Sequence, residues 1–294
     1  MTEPNHTFHA GERAVQERAG VPAEWRQRAA RAIRAELSAR HQDFFENLPV
    51  FFVGLQDMLG RPWATICPLP TGAQATRTRL TANTRPVLAK PLDLDLRPGS
   101  KAAVLGLDFA TRRRNRMNGE VAAASEDLLS IAVEQSFGNC PKYIRTRDVR
   151  PPAKPSTPTE GSRVAISDVA VRRIISSADT FFIATLTKDG ADVSHRGGMP
   201  GALHQNVDGS LSFPDYAGNQ YFNTLGNIEV SSRAGLFIPD FASGEAILLT
   251  GKAGIDWSPA RAAEFEGAER VVDIHPEDVW YARHALPRGV FTEE

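Results

Sequence analysis

Cysteine is scarce in this chain, and its scarcity excludes two ways of building a site or a fold. Cys67 and Cys140 are the only cysteines among the 294 residues. Two isolated thiols have neither the paired spacing of a metal site nor the density of a secreted disulfide scaffold. We therefore expect no metal centre, and we expect a reducing, cytoplasmic location.

Long apolar runs and a surplus of one charge are absent as well. No stretch approaches the roughly 20 apolar residues of a membrane-spanning helix, and residues 1–15 lack a signal-peptide core. The chain has 34 Lys and Arg against 35 Asp and Glu, a formal net charge of −1. Because there is no basic surplus, neither nucleic acid nor a membrane is an expected partner.

An internal repeat is present, and a length of 294 residues suits two domains. Residues 108–111 read DFAT and residues 240–243 read DFAS, while Asn-Gly at 118–119 corresponds to Thr-Gly at 250–251; both pairs are 132 residues apart. Upstream, FFV is followed 130 residues later by FFI. This agreement in order and spacing predicts two copies of one strand-rich unit.

The periodicity of the apolar residues predicts a coarse plan of the elements. Helical spacing predicts helices over residues 22–41, 125–133, 168–177 and 259–268, whereas residues 1–20 are expected to wrap the surface. Strand patterns occur at residues 50–69, as a hairpin, and at 101–109 and 180–186, and the strand signal fades after residue 251. The resulting domains are an N-terminal helical extension (1–48), a first repeat (49–149), a Pro-rich linker (150–167) and a second repeat with a C-terminal tail (168–294).

The densest cluster of polar residues and glycines begins at residue 192. Ser194, His195 and Arg196 precede Gly197 and Gly198, so a hydroxyl, an imidazole and a guanidinium stand beside backbone that can be approached closely. That combination suits an anion.

A second polar cluster follows a predicted hairpin at residues 203–213, whose turn at 208–209 would fold the two clusters toward each other. If residues 220–227 are helical, Asn223 and Asn227 share a face, with Thr224 beside them. Such a face could meet a phosphate or a ribityl chain. Asn and Thr at these positions could equally cap a helix and shape a turn.

Three motifs in these clusters, SHRGG, DYAGN and FNTLGN, resemble the pyridoxamine 5'-phosphate oxidase-related flavoproteins, in particular a two-barrel branch of FMN-binding members. The resemblance implies a mainly β fold of tandem FMN-binding split β-barrels with an N-terminal helical extension and peripheral helices. It also implies one FMN per chain, with the first barrel supplying a wall of the pocket, and a homodimer. The residues that the resemblance assigns to FMN are Ser194, His195, Arg196, Gly197, Asn219, Asn223, Thr224 and Asn227.

The expected function is FMN-dependent oxidoreduction of a small-molecule substrate, with catalytic residues unassigned. There is no G-x-G-x-x-G after a predicted strand, so NAD(P)H would bind transiently or a separate reductase would supply electrons. The alternatives are a flavin-binding carrier or sensor without turnover, and a haem-binding split-barrel protein. FAD or a deazaflavin in place of FMN also stays open.

Several residues allow a second interpretation. The arginines of the run at 112–116 form either a solvated face or a site for a phosphate-bearing group. His195 could donate a proton instead of contacting the cofactor. Cys140 fits a structural role better than that of a nucleophile, since no paired His is near it in sequence.

Overall fold

The computed structural model describes residues 7–149, 159–286 and 290–292, and over these ranges the chain is mainly β. The helices are α1 (Ala10–Arg18), α2 (Ala23–Ala32), α3 (Ala39–Glu46), α4 (Val169–Ser177), α5 (Asn223–Ser231) and α6 (Pro259–Ala262). Strands of the first half are β1 (Val50–Gln56), β2 (Pro62–Pro68), β3 (Ala73–Thr76), β4 (Arg79–Ala82), β5 (Lys101–Asp108), β6 (Arg113–Ser125), β7 (Leu128–Gly138) and β8 (Asp148–Val149). Strands of the second half are β9 (Glu160–Arg163), β10 (Thr180–Thr187), β11 (Gly190–Gly197), β12 (His204–Gln205), β13 (Leu211–Tyr216), β14 (Arg233–Pro239), β15 (Ala246–Asp256), β16 (Ala268–Arg283) and β17 (Phe291–Thr292).

The two halves form antiparallel sheets with the same strand order. The first sheet runs β2-β1-β5-β6-β7-β4-β3, and the second runs β11-β10-β14-β15-β16-β13-β12 with β9 added on β16. Neither sheet closes on itself in this order. The predicted fold class, two tandem split-barrel units of mainly β structure with peripheral helices, is confirmed.

The repeated sequence motifs adopt repeated local structures. Asp108 accepts hydrogen bonds from the backbone N–H groups two and three residues further on, and Asp240 does the same 132 residues later. The register of β6 on β7 shifts between Asn118 and Gly119, and that of β15 on β16 shifts between Thr250 and Gly251. The motifs therefore mark an Asx turn and a β-bulge in each unit.

Equivalent residues of the two units contact each other across the interface between the units. Phe52 of β1 stacks on Phe182 of β10 with ring centroids 3.5 Å apart, and Phe109 contacts Phe241 edge to face. One apolar cluster includes buried side chains from both units. Contacts between equivalent positions are the signature of a two-fold interface, which here lies within one chain.

The N-terminal extension contains three helices, so the prediction of a single helix over residues 22–41 is wrong. Ile33 is extended, Arg34 bridges to Ser136 of β7, and Ser38 caps the next helix. The surface wrap predicted for residues 1–20 is not found over residues 7–20, because Gly11 of α1 packs directly on the backbone of Gly226 in α5. Tertiary pairing therefore interrupts a segment whose spacing alone is helical.

Two other element predictions are corrected. Residues 125–133, predicted as a helix, form the end of β6, a turn and the start of β7, because Leu129 pairs with both Ala82 and Ala124. Strand structure does not fade after residue 251: β15 continues to Asp256, and the 16-residue β16 pairs with β13 and β15. Only α6 remains of the helix predicted at 259–268.

Other element predictions are confirmed, namely the hairpin of β1 and β2, strands β5 and β10, helix α4 and the hairpin around Gly209. Of the predicted linker, residues 150–158 lie outside the described residues, and β9 occupies part of the remainder. No helix in the described ranges is both long and apolar enough to cross a membrane.

Candidate functional site

Strands of both units converge on a cavity of about 100 Å³. From the first unit come β6 and the loop after β7, and from the second come β11, the end of β13 and the start of α5. We call this space the donor cavity. Its charged and polar lining side chains include Arg114, Arg116, Asn139, Lys142, His195, Arg196, Asp215, Asn219, Asn223 and Thr224.

Six of the eight residues predicted to contact a cofactor line the donor cavity: His195, Arg196, Gly197, Asn219, Asn223 and Thr224. Ser194 lies behind the wall, where its hydroxyl contacts the lining residue Arg116. Asn227 does not line it; its amide donates to Thr185, and the residue faces a different cavity.

A fully buried guanidinium holds the two units together behind the cavity. Arg116 donates to Asp192 at 2.7 Å, to Asn223 at 3.2 Å and to the hydroxyl of Ser194. Thr224 in turn donates to the second oxygen of Asp192 at 2.6 Å. Because the buried carboxylate of Asp192 neutralises the buried guanidinium of Arg116, this group is fixed in place and charge-balanced.

Arg114 lacks such a partner. It points from β6 into the donor cavity, and no carboxylate forms an ion pair with it within the described chain. Burial, together with the nearby guanidinium groups of Arg116 and Arg196, lowers the pKa of Arg114 to about 9. An anion bound beside Arg114 would favour its charged form and so oppose that shift.

His195 is a neutral hydrogen-bond donor toward the same space. A guanidinium can only donate, so the long 3.5 Å contact from Arg114 makes Nδ1 of His195 the acceptor and leaves the proton on Nε2. Burial and the surrounding arginines lower the pKa of His195 well below its usual value. The imidazole is therefore uncharged at neutral pH, which disfavours its alternative role as a proton donor in catalysis.

The unpartnered atoms of the lining are all donors. Among the described residues, the buried side-chain nitrogens that line the donor cavity and lack a hydrogen bond are Arg114 Nε, Arg116 Nε, Arg196 Nε, His195 Nε2 and Asn139 Nδ2. The orientation of Asn139 follows from its neighbour: Asn219 accepts from the Tyr221 amide and donates to Asn139 Oδ1 at 2.7 Å. Since Oδ1 of Asn139 is the accepting atom, the side-chain atom left without a partner is its NH₂ nitrogen.

The charge of the lining is positive. Arg196 donates to Asp215 at 3.1 Å, but Asp215 is shared with Arg270 at 2.9 Å. Burial raises the pKa of Asp215, although the two arginines act against that shift. Arg270 also pairs with Glu269 at 2.6 Å, so both arginines on Asp215 are compensated. Within the described chain, Arg114 and Lys142 are the cavity cations that form no ion pair.

Aromatic rings stand at the rim. Tyr143 stacks on Tyr216 with centroids 5.2 Å apart, and the carbonyl of Tyr143 lies so close to Gly197 that a Cβ there would come within 2.2 Å of it. Tyr143, Gln220 and Phe222 all have φ near +60°, a conformation that non-glycine residues rarely adopt. Such conformations cost about 1–3 kcal/mol each and cluster at functional sites.

Sequence reasoning assigned the basic run at 112–116 mainly to a solvated face. Arg112 and Arg113 are exposed as expected, but Arg114 and Arg116 enter the donor cavity. The alternation of strand side chains places residues 114 and 116 on one face, and recognising β6 as a strand in this region would have revealed them. Cys140 also lines the cavity, half-buried.

The corresponding place in the other half is filled. The strand registers show which residues are equivalent in the two units. Phe52 and Phe182 are equivalent, and their strand partners are Ile66 and His195. Leu105 and Phe237 are equivalent, and their strand partners are Arg116 and Leu248. The positions equivalent to Arg114, Arg116, His195 and Arg196 are therefore Ala246, Leu248, Ile66 and Cys67. All four are buried in the apolar cluster, so this place, formed by β2 of the first unit and β15 of the second, carries no guanidinium or imidazole.

Comparison with known proteins gives similarity of fold only. Neither the protein-family models nor the curated proteins match this chain. Similar solved structures include HupZ from Group A Streptococcus (15% identity, 41% of this chain and 94% of that chain, TM-score 0.32) and general stress protein 26 from Bacillus anthracis (15%, 37% and 88%, 0.30). Another is a protein of the pyridoxinephosphate oxidase family from Clostridium acetobutylicum (12%, 40% and 89%, 0.29). Similarities this weak do not support an inference about what this chain binds.

Proposed function

We propose that this chain is an FMN-dependent oxidoreductase that acts on a small molecule and holds the flavin phosphate in the donor cavity. The observation that carries the proposal is that every unpartnered buried polar side-chain atom in the lining, among the described residues, is a donor. Together with the uncompensated charge of Arg114, this pattern requires a ligand that brings acceptors and negative charge. A phosphate monoester brings both.

The size of the cavity decides which part of FMN it can hold. A space of about 100 Å³ is smaller than the roughly 300–1,000 Å³ of typical small-molecule sites. It accommodates the phosphate end, and the isoalloxazine would lie at the open rim beside Tyr143 and Tyr216. A loop of the first unit contacts the rim, which supports the expectation that this unit supplies a wall.

The residues of the cavity have separate tasks in this proposal. Arg114, Arg196 and the Nε2–H of His195 would bind the phosphate, whereas Asn139 and Asn219 would close one side. Ser194 and Thr224 hold Arg116 and Asp192 in position rather than touching the ligand themselves. When bound, the flavin supplies reversible hydride acceptance, and the protein orients it and selects the substrate. Asn227 would not contact the flavin, because it lies outside this cavity and its amide bonds α5 to Thr185 of β10.

Identification of the released cofactor tests the proposal directly. We expect mass spectrometry of the purified, denatured protein to give FMN, and we expect NADH, NADPH or an added reductase to bleach the flavin anaerobically before air restores it. A flavin inert to every donor would contradict the oxidoreductase and leave a carrier or sensor. An intense Soret band would instead indicate haem and would overturn the flavin assignment.

The variant Arg114→Met tests the phosphate site. Loss of a charge-assisted contact costs about 1.5–3 kcal/mol, so FMN should bind roughly 10- to 150-fold more weakly, whereas riboflavin, which lacks the phosphate, should bind as before. The unliganded variant should be no less stable than wild type, because the substitution removes an uncompensated buried charge. Isothermal titration with both ligands and urea denaturation measure these quantities.

Arg112→Met is the matched control for this variant. Arg112 belongs to the same basic run but is exposed and outside the cavity, so its replacement should leave FMN affinity unchanged. Equal weakening of FMN and riboflavin in Arg114→Met would contradict a phosphate contact and indicate a general loss of structure.

A further inference from the structure

A second cavity, of about 470 Å³, lies between the N-terminal extension and the two units on a different side of α5. Its lining comes from the chain around α1, from the loop after α2, from β5, β6 and β7, and from the turn before β11. We call it the acceptor cavity.

Two buried amide oxygens face this cavity without a partner. Asn118 is 5% exposed and Asn227 is 2% exposed, and in both the Oδ1 atom has no hydrogen bond within the described chain. A buried carbonyl without a donor costs about 1–3 kcal/mol, so two in one wall need an explanation.

The orientation of both amides is fixed by neighbours that can only accept. Asn227 donates its NH₂ to the carbonyl of Thr185 at 3.1 Å, which leaves Oδ1 on the free side. Gln135 donates to the carbonyl of Thr7 at 3.0 Å, so its oxygen accepts from the NH₂ of Asn118 at 3.2 Å. The free atoms of Asn118 and Asn227 are therefore oxygens.

His9 supplies a single free donor nearby. Its Nδ1 accepts from the backbone amide of Gly11 at 3.1 Å, so the proton is on Nε2. Burial lowers the pKa of His9, although the Asn227 amide acts against that shift. The two groups nonetheless form no hydrogen bond of good geometry, and both atoms remain unpartnered in the described chain.

The charge of the acceptor cavity is opposite to that of the donor cavity. Its lining contains three carboxylates, on Glu12, Glu134 and Asp189, against two cations, on Arg34 and Lys101. Lys101 is already paired with Glu120 and Glu134, both at 3.0 Å. Burial raises the pKa of Glu12 to about 7, so this carboxyl is only partly ionised at neutral pH and the negative excess of the lining is small. A ligand for this space must bring N–H donors, and the small acidic excess favours one that is also a cation.

We infer that the acceptor cavity is a binding site for a small molecule with a primary ammonium group, which donates to Asn118 Oδ1 and Asn227 Oδ1. This site is separate from the proposed flavin site and does not depend on it. The volume leaves room for the rest of a small organic amine beside the ammonium group.

The test uses 4-amino-1-butanol as the probe and the full-length protein. We expect the amine to shift the side-chain amide NMR signals of Asn118 and Asn227 and to bind with a measurable heat. Two analogues isolate the chemistry: 1,4-butanediol lacks the charge, and the N,N,N-trimethyl derivative keeps the charge but lacks N–H donors. Both should bind at least tenfold more weakly than the amine.

Asn118→Thr is the informative variant because the fold already accepts threonine at the equivalent bulge position, Thr250. It removes the amide oxygen, and we expect amine binding to weaken about tenfold while the melting temperature stays within a few degrees. Unchanged amine affinity in this variant would overturn the inference. So would equal binding of 1,4-butanediol, or the absence of any shift at the two amides.

A truncated chain that begins at Thr7 is a further control. Thr7 lines the cavity and residues 1–6 precede it, so this chain tests whether those residues affect amine binding. The truncated chain should bind 4-amino-1-butanol as well as the full chain does. If only the truncated chain bound the amine, this would mean that residues 1–6 occupy the cavity in the longer chain, and the ligand assignment would be wrong.

Discussion

At the scale of single residues, the polar atoms left without partners are more informative than those that are paired. Ser194 and Thr224 are residue types common in ligand sites, yet their hydroxyls are already hydrogen-bonded within the protein. Ser194 accepts from Arg116, and Thr224 donates to Asp192. Arg114 has no ion-pair partner in the described chain, and the sequence alone leaves it open between a solvated face and a site for a phosphate-bearing group. Sequence shows which groups a segment carries, but their partners depend on tertiary contacts between segments far apart in the chain.

Glu12 gives a prediction about pH at this scale. It is buried on α1, where it accepts from the His9 amide at 2.8 Å and from Asn223, and burial raises its pKa to about 7 despite these bonds. A carboxyl with a raised folded-state pKa contributes stability that is complete below its unfolded value of about 4.5 and is lost as pH rises through about 7. By this linkage, the loss amounts to about 3 kcal/mol.

Glu12→Gln should remove that pH dependence. We expect the free energy of unfolding of wild type, relative to this variant, to fall by about 3 kcal/mol between pH 4.5 and pH 8 in urea titrations. Glu17→Gln, at an exposed position of the same helix, should leave the curve parallel to that of wild type. Parallel curves for Glu12→Gln as well would show that the carboxyl titrates alike in the folded and unfolded states.

At the scale of elements, the bulge glycines of the two units are predicted to be intolerant of any side chain. A Cβ on Gly251 would lie 2.1 Å from the carbonyl oxygen of His275 on β16, and one on Gly119 would lie 1.8 Å from that of Ala132 on β7. Both obstacles are backbone, so they cannot rotate away. Gly251→Ala should therefore destabilise the fold by about 1–3 kcal/mol or more.

Gly254 on the same strand is the natural control, because nothing lies within 4 Å of a Cβ placed there. Gly254→Ala should change the free energy of unfolding by no more than about 0.5 kcal/mol. Urea denaturation of the two variants side by side measures the difference. Equal effects would mean that the bulge can relax and that the repeated Thr-Gly and Asn-Gly motifs have no steric basis.

The same elements show what the sequence can predict about the fold. The paired motifs at 108, 118, 240 and 250 predicted two similar units because turn and bulge geometry require particular residues locally. The helices predicted at 22–41 and 125–133 were wrong because apolar spacing is compatible with either structure over short segments. In both segments, pairing with another strand replaces the helix. Arg34 pairs with β7, and Leu129 pairs with β4 and β6.

At the scale of the whole molecule, the chain contains an interface between two similar units but only one side of it carries a charged site. The stacking of Phe52 on Phe182 places equivalent strands face to face, so a symmetric pair of cavities is geometrically available. Arg114 and His195 line one of them, and Ala246 and Ile66 fill the other. The two units therefore differ in their site residues although they share one strand order.

This asymmetry predicts one flavin per 32.1 kDa chain, whether or not chains associate further. Native mass spectrometry of protein saturated with FMN should give a single added flavin per chain, and a homodimer should carry two. The apolar positions equivalent to Arg114 and His195 provide no donor for a second phosphate. Two flavins per chain would contradict the assignment, as would one flavin shared by two chains, because the residues proposed to bind the phosphate all belong to a single chain.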